Sequence, residues 1–195
     1  MVVEKEIKLV NPKFSVSDVY YICDCTGMES LKVVDTYMVP NGSDLWACDK
    51  SNSSLVRIRE IDNEPYLTIK GSDRSSGVYK EWEEFEVPVT PMAKDAIFGL
   101  GSVALVIEKQ RYVFEGGDMD MIYDAVYGVS IPDKDILLSH DSDKWYNLIQ
   151  TNIFEVENIT DKGLDWLFIC LRFSKDDLTT VSNYDYFMEL ISKLS

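Results

Sequence analysis

Histidine is almost absent from this chain and cysteine is scarce. The 195 residues hold one histidine, His140, and four cysteines, Cys23, Cys25, Cys48 and Cys170, with no C-x-x-C spacing. One imidazole in a polar segment and such scattered thiols do not build a zinc site. So few cysteines in a chain this long also speak against a secreted disulfide framework, and the thiols read as structural or incidental. Positive charge is short as well: 19 lysines and arginines stand against 34 acids, for a formal net charge of −15. With a pI of about 4.4, the chain repels nucleic acid and anionic membrane at long range. Long apolar runs are missing. The longest, from Ala96 to Ile107, is interrupted by Gly99, Gly101 and Ser102 and is too short to span a bilayer. A charge at Glu4 breaks any signal-peptide core. A cytoplasmic, soluble monomer or homodimer with no nucleic-acid or membrane partner is the expectation.

What is present is material for a core: 46% of the residues are hydrophobic, enough for one domain over residues 1–195. Strands dominate the pattern. They are expected from about Val2 to Val10, Leu31 to Val39, Leu55 to Ile61, Pro65 to Gly71, Tyr79 to Val89, Val103 to Phe114, Met119 to Tyr127 and Ile153 to Ile159, with a short one at Leu45 to Asp49. Asp62-Asn63-Glu64 reads as a hairpin turn. Helices are expected from about Ser17 to Cys25 with Ser15 or Ser17 as cap, Pro91 to Gly99 behind Thr90, Asp161 to Phe173, and Ser182 to Leu194. The stretch from Val129 to Asn152 is acidic and irregular and reads as an insertion, in which Trp145 and Tyr146 either anchor the loop or stack on a ring. Adjacent hairpins make the sheet antiparallel, giving an α+β fold.

The strands carry charge in an unusual way. Alternate residues of a strand share a face, so Glu4, Glu6 and Lys8 lie together with Ile7 and Leu9 behind them. Arg57 and Arg59 share a face, as do Lys109 and Arg111, Glu84 and Glu86, and Glu155 and Glu157; Lys70 follows Tyr66 and Thr68. Each pair alone is what a solvated strand face looks like. Together the signs are segregated by strand, and the few bases of an acidic chain fall on these strands. Such a face either meets water or lines the inside of a closed barrel. Enclosed, the bases suit a polyphosphate. Carboxylates in the same cavity call for a hard divalent cation between them and the anion.

The residues also resemble a known family. Glu4-Lys5-Glu6-Ile7-Lys8 is similar to the E-x-E-x-K signature of the CYTH superfamily, the triphosphate tunnel metalloenzymes. In the family's order follow Asp35-Thr36-Tyr37, Leu55-Val56-Arg57-Ile58-Arg59-Glu60, Tyr66-Leu67-Thr68-Ile69-Lys70-Gly71, Glu84-Phe85-Glu86-Val87-Pro88, Glu108-Lys109-Gln110-Arg111-Tyr112, Asp124-Ala125-Val126-Tyr127-Gly128, Phe154-Glu155-Val156-Glu157 and a closing Ser182-Asn183-Tyr184. Two features depart from the family pattern: the insertion at about 129–152, and the basic residue before Glu84-Phe85-Glu86, for which Lys80 is the nearest candidate.

The resemblance implies an antiparallel β-barrel tunnel of about eight strands with helices packed outside. It implies Mg²⁺ or Mn²⁺ as cofactor, with Glu4, Glu155 and Glu157 holding one ion and Glu6 placing a second that positions water. Lys8, Arg57, Arg59, Lys70, Lys109 and Arg111 would bind the phosphates, and Glu84, Glu86 and Asp124 would partner those bases. Lys8, sitting among cations, is expected to have a lowered pKa that lets it orient or deprotonate water, so Lys8 and Glu6 are the catalytic candidates. The implied activity is hydrolysis of an inorganic, thiamine or nucleoside triphosphate. A class IV adenylyl cyclase, releasing cyclic AMP and pyrophosphate, is the alternative, and a non-catalytic nucleotide- or polyphosphate-binding module is the third reading.

Overall fold

The computed structural model describes residues 2–40, 55–116, 119–130 and 151–194. Strands β1 (Val2–Val10), β2 (Gly27–Pro40), β3 (Leu55–Ile61), β4 (Glu64–Asp73), β5 (Lys80–Pro88), β6 (Gly101–Glu115), β7 (Asp120–Ser130) and β8 (Thr151–Glu157) form a closed barrel in the order β1-β5-β4-β3-β2-β6-β7-β8. Every neighbouring pair is antiparallel. Closure removes the open edge that a sheet of this size would otherwise expose.

Among the described residues four α-helices accompany the barrel: α1 (Val16–Ile22), α2 (Pro91–Phe98), α3 (Asp161–Leu171) and α4 (Asn183–Leu194). Local chemistry starts them. Ser15 and Asp18 form a reciprocal capping box on α1, Thr90 caps α2 ahead of Pro91, and the Thr160 hydroxyl accepts from the Gly163 N–H at 3.1 Å on α3. No helix among the described residues is long and apolar enough to cross a membrane.

Among the described residues, two large apolar clusters and a small third, Val39 with Ala104, hold the molecule together. Outside the barrel, Ile7, Leu9, Met121, Tyr123, Phe154 and Val156 pack with Val19 of α1 and with Leu164, Leu167 and Leu171 of α3. The second cluster joins Tyr37, Leu105, Ile107, Val126 and Ile153 to Phe187, Met188 and Ile191 of α4. Tyr37 alternates with Asp35, Ile107 with Lys109 and Ile153 with Glu155, so these strand residues share the inner, charged face. The α4 stripe therefore covers one end of the barrel interior, whereas α1 and α3 lie outside. Each of its three buried apolar side chains contributes about 1.5–3 kcal/mol.

Several boundaries differ from the sequence reading. α1 stops at Ile22 rather than near Cys25, because Asp24 takes a left-handed φ of 52°. β2 begins at Gly27, since it pairs along its whole length with β6. β4 runs on to Asp73, which pairs with Trp82. Val129, Ser130, Thr151 and Asn152, placed by sequence in the irregular insertion, are strand residues of β7 and β8. The rest of that insertion, with Trp145 and Tyr146, and the short strand expected at Leu45 to Asp49 lie outside the described residues.

Candidate active site

The barrel encloses a cavity of about 510 Å³. Lys8, Arg57, Arg59, Lys70, Lys80 and Arg111 line it, together with Glu6, Glu84, Glu86, Glu155 and Glu157. Register brings them together. Glu6 stands opposite Lys80 across β1–β5 and opposite Glu157 across β1–β8, and Lys8 stands opposite Glu155. On the other wall Arg59 pairs with Asp35 and Arg57 with Tyr37. Arg57 and Glu155, which an open sheet would point into solvent, thus face one space.

Almost every base is held by an acid. Asp35, fully buried, accepts from Arg59 Nε at 2.8 Å and from a second guanidinium nitrogen at 3.3 Å, and lies 2.9 Å from Lys109 Nζ and 3.6 Å from Arg57 Nε. Asp124 accepts from Lys109 at 2.6 Å and from two Arg111 nitrogens at 2.8 Å each. Arg57 also donates to the Thr68 hydroxyl at 3.2 Å, which in turn donates to Glu86 at 2.7 Å. Lys70 meets Glu84 at 2.6 Å. Lys8 lies 3.1 Å from Glu155 and 3.8 Å from Glu6, and Lys80 lies 2.9 Å from Glu6. The amide of Asn183, at the start of α4, reaches Glu155 at 3.5 Å, and Lys8 donates to the Val181 carbonyl at 3.4 Å. The segment entering α4 thereby fixes one wall.

These contacts set the charge states. Burial alone would raise the Glu155 and Asp35 carboxyls, but Lys8, Lys109 and Arg111 around Glu155, and Arg59, Lys109 and Arg57 around Asp35, hold both well below the usual carboxylate range. Glu6 is likewise lowered, against its burial, by Lys80 and Lys8. Lys80 moves the other way: burial first, then Lys8, press it down to about 8. Lys8 corrects the sequence expectation. Although burial acts to lower it, the carboxylates of Glu155, at 3.1 Å, and Glu6, at 3.8 Å, outweigh burial, and its pKa is raised. That direction favours the ammonium form over a proton-accepting amine.

The structure brings Glu6, Lys8, Arg57, Arg59, Lys70, Arg111, Glu155 and Glu157 to one cavity. Lys109 is not part of the lining; its ammonium lies beneath, between Asp35 and Asp124. Glu4 sits on β1 opposite Trp82, and its side chain lies outside the described residues. Sequence reading missed Asp35 as a charged member of the site. Its signal was a lone acid after Val33-Val34, on a strand too apolar for a solvated carboxylate. Lys80 carried a weaker signal as the only base near the Glu84–Glu86 strand.

The carboxylate oxygens of Glu155 and Glu157, alternate residues of β8, are the donor type a hard divalent cation takes. Among the described residues no three acids, thiols or imidazoles stand close enough together to chelate an ion. Any such cation would therefore need further oxygens, from water or a phosphate.

No family model matches the sequence, and no curated protein matches it. Solved structures do. A Hippeastrum protein provisionally named an adenylyl cyclase, for which a dominant triphosphatase activity is described, superposes with a TM-score of 0.64 at 14% identity, over 95% of each chain. A Vibrio parahaemolyticus protein, provisionally named an adenylate cyclase, gives 0.58 at 12% identity, over 94% of this chain and 97% of that one. A chain of the Schizosaccharomyces pombe Mediator head module gives 0.56 at 8% identity, over 99% of this chain and 94% of that one. At these identities the likeness is one of fold. The chain shares with these structures the fold of a closed, eight-stranded antiparallel barrel.

Proposed function

We propose that this protein is a divalent-metal-dependent phosphohydrolase that removes the terminal phosphate of a triphosphate inside the barrel. The observation that carries this reading is the enclosed cavity walled by Lys8, Arg57, Arg59, Lys70, Lys80 and Arg111, each already oriented by an acid. An anion entering there meets donors that need no reorganisation, which is how charge developing in phosphoryl transfer is best stabilised. The guanidinium groups of Arg57, Arg59 and Arg111 suit bidentate contact with phosphate oxygens. Asp35 and Asp124 hold those groups, and Lys109 beneath them, in place. Acids match bases around the cavity, so the interior by itself does not offset the charge of a triphosphate. Glu155 and Glu157, with Glu4, would hold Mg²⁺ or Mn²⁺, which when bound supplies that missing positive charge. Water attacks the terminal phosphorus in line, and orthophosphate and the diphosphate leave.

The test is product analysis. The protein is incubated separately with tripolyphosphate, thiamine triphosphate and ATP, each with Mg²⁺ or Mn²⁺. Orthophosphate release that stops on chelation is expected. Cyclic AMP and pyrophosphate as the main products from ATP would replace hydrolysis by cyclisation, the name that the Hippeastrum and Vibrio proteins carry. Tight nucleotide binding without turnover would make the tunnel a binding module.

A further inference from the structure

We propose that the Lys80 ammonium occupies, at Glu6, the place a second divalent cation would take, so that the tunnel loads one divalent ion rather than two. This rests on the triphosphate reading above and concerns how many ions serve it. Lys80 and Glu6 stand directly opposite one another on β5 and β1. Their contact, Nζ to Oε1, is 2.9 Å, and Lys8 Nζ lies 3.8 Å from the same oxygen. All three side chains are buried, at 4%, 3% and 1% exposure, so solvent does little to screen them. Lys80 is further held over the face of Trp82, 5.1 Å from the ring centroid. The ammonium is thus positioned by strand register, by an ion pair and by an aromatic ring at once.

A divalent ion brought to Glu6 would meet two ammonium groups there, and among the described residues no three acids stand close enough together to chelate it. Glu155 and Glu157, the neighbouring acids on β8, are the ones assigned above to the single ion. A dication at Glu6 itself meets two like charges and too few oxygens, which a hard cation seeking six or more does not tolerate. Lys80 already does what such an ion would do electrostatically. It neutralises Glu6 and presents positive charge to the cavity.

The test counts ions. Mn²⁺ is titrated into the whole protein, with and without tripolyphosphate, and free Mn²⁺ is followed by electron paramagnetic resonance. Wild type is expected to bind one Mn²⁺ per chain. Lys80→Met, which keeps the length and removes the charge, should gain a second site, whereas Lys80→Arg and Lys70→Met should stay at one. Two ions in wild type overturn the proposal whether or not any variant folds, and so does a folded Lys80→Met that still binds one; both leave metal-dependent hydrolysis standing. No ion bound under either condition overturns the metal-dependent reading and this one with it.

Discussion

Asp35 has no exposed surface and meets three cations, Arg59, Lys109 and Arg57. Taking one partner from a buried charge cluster costs about 3–5 kcal/mol, because the remaining charges stay buried without compensation. Asp35→Asn keeps the shape and removes the charge, and Arg59 has no second acid within ion-pair distance among the described contacts. Urea unfolding should therefore show a loss of that order. Tripolyphosphate should restore part of it, since an anion entering the cavity supplies the negative charge the variant lacks. A variant as stable as wild type, with or without the anion, would show that Asp35 does not hold the cations. The same residue shows where sequence reading stops. Glu6, Arg57 and Glu155 were legible because each belongs to an alternating pair on one strand. Asp35 acts only on residues from β3 and β6, so its role appears once register is known. The direction of the Lys8 shift was illegible for a similar reason: it depends on which carboxylates the strands bring to its ammonium, and that is a matter of register.

The hairpin joining β3 and β4 decides which way Arg57 and Arg59 point, because a one-residue slip would turn both out of the barrel. Its turn is Asp62-Asn63, with φ of 48° and 75°. Both angles lie in the left-handed region that a two-residue type I′ turn requires. Asn63 is exposed, so Asn63→Ala removes little but the tolerance of that conformation. A loss of about 1 kcal/mol is expected from denaturant unfolding, with Asn63→Gly close to wild type. Equal stability of the two variants would mean that the turn does not hold the register. This hairpin and β1 were readable from the chain alone, since turn residues and alternation agree there. β2 was under-read because Glu29, Lys32 and Asp35 blur its alternation, and its length comes from fourteen residues paired with β6. The destination of α4 was not readable at all. An apolar stripe at Phe187, Met188 and Ile191 says that a helix is buried on one side, not that its partner is the mouth of a barrel.

For the whole molecule, two electrostatic effects oppose one another as pH falls. The net charge of −15 makes the surface self-repulsive, and protonating exposed carboxylates on the way to the pI of about 4.4 relieves it. The interior works the other way. Glu6, Asp35, Asp124 and Glu155 all have lowered pKa values in the folded protein: burial acts to raise each, and neighbouring bases outweigh it. A group lowered on folding adds stability that is fully present above its unfolded pKa, about 4, and is lost as pH falls below that toward the folded value. Surface repulsion is screened over about 8 Å at physiological salt, whereas the buried pairs are screened far less. Stability from urea unfolding should therefore hold or rise slightly from pH 7 to 5 and then drop steeply below about pH 4. Added salt should flatten the upper limb and leave the acid drop in place. A decline that begins near pH 6 and disappears in salt would mean that surface charge governs acid stability, and that the interior carboxylates are not held ionised by the bases beside them.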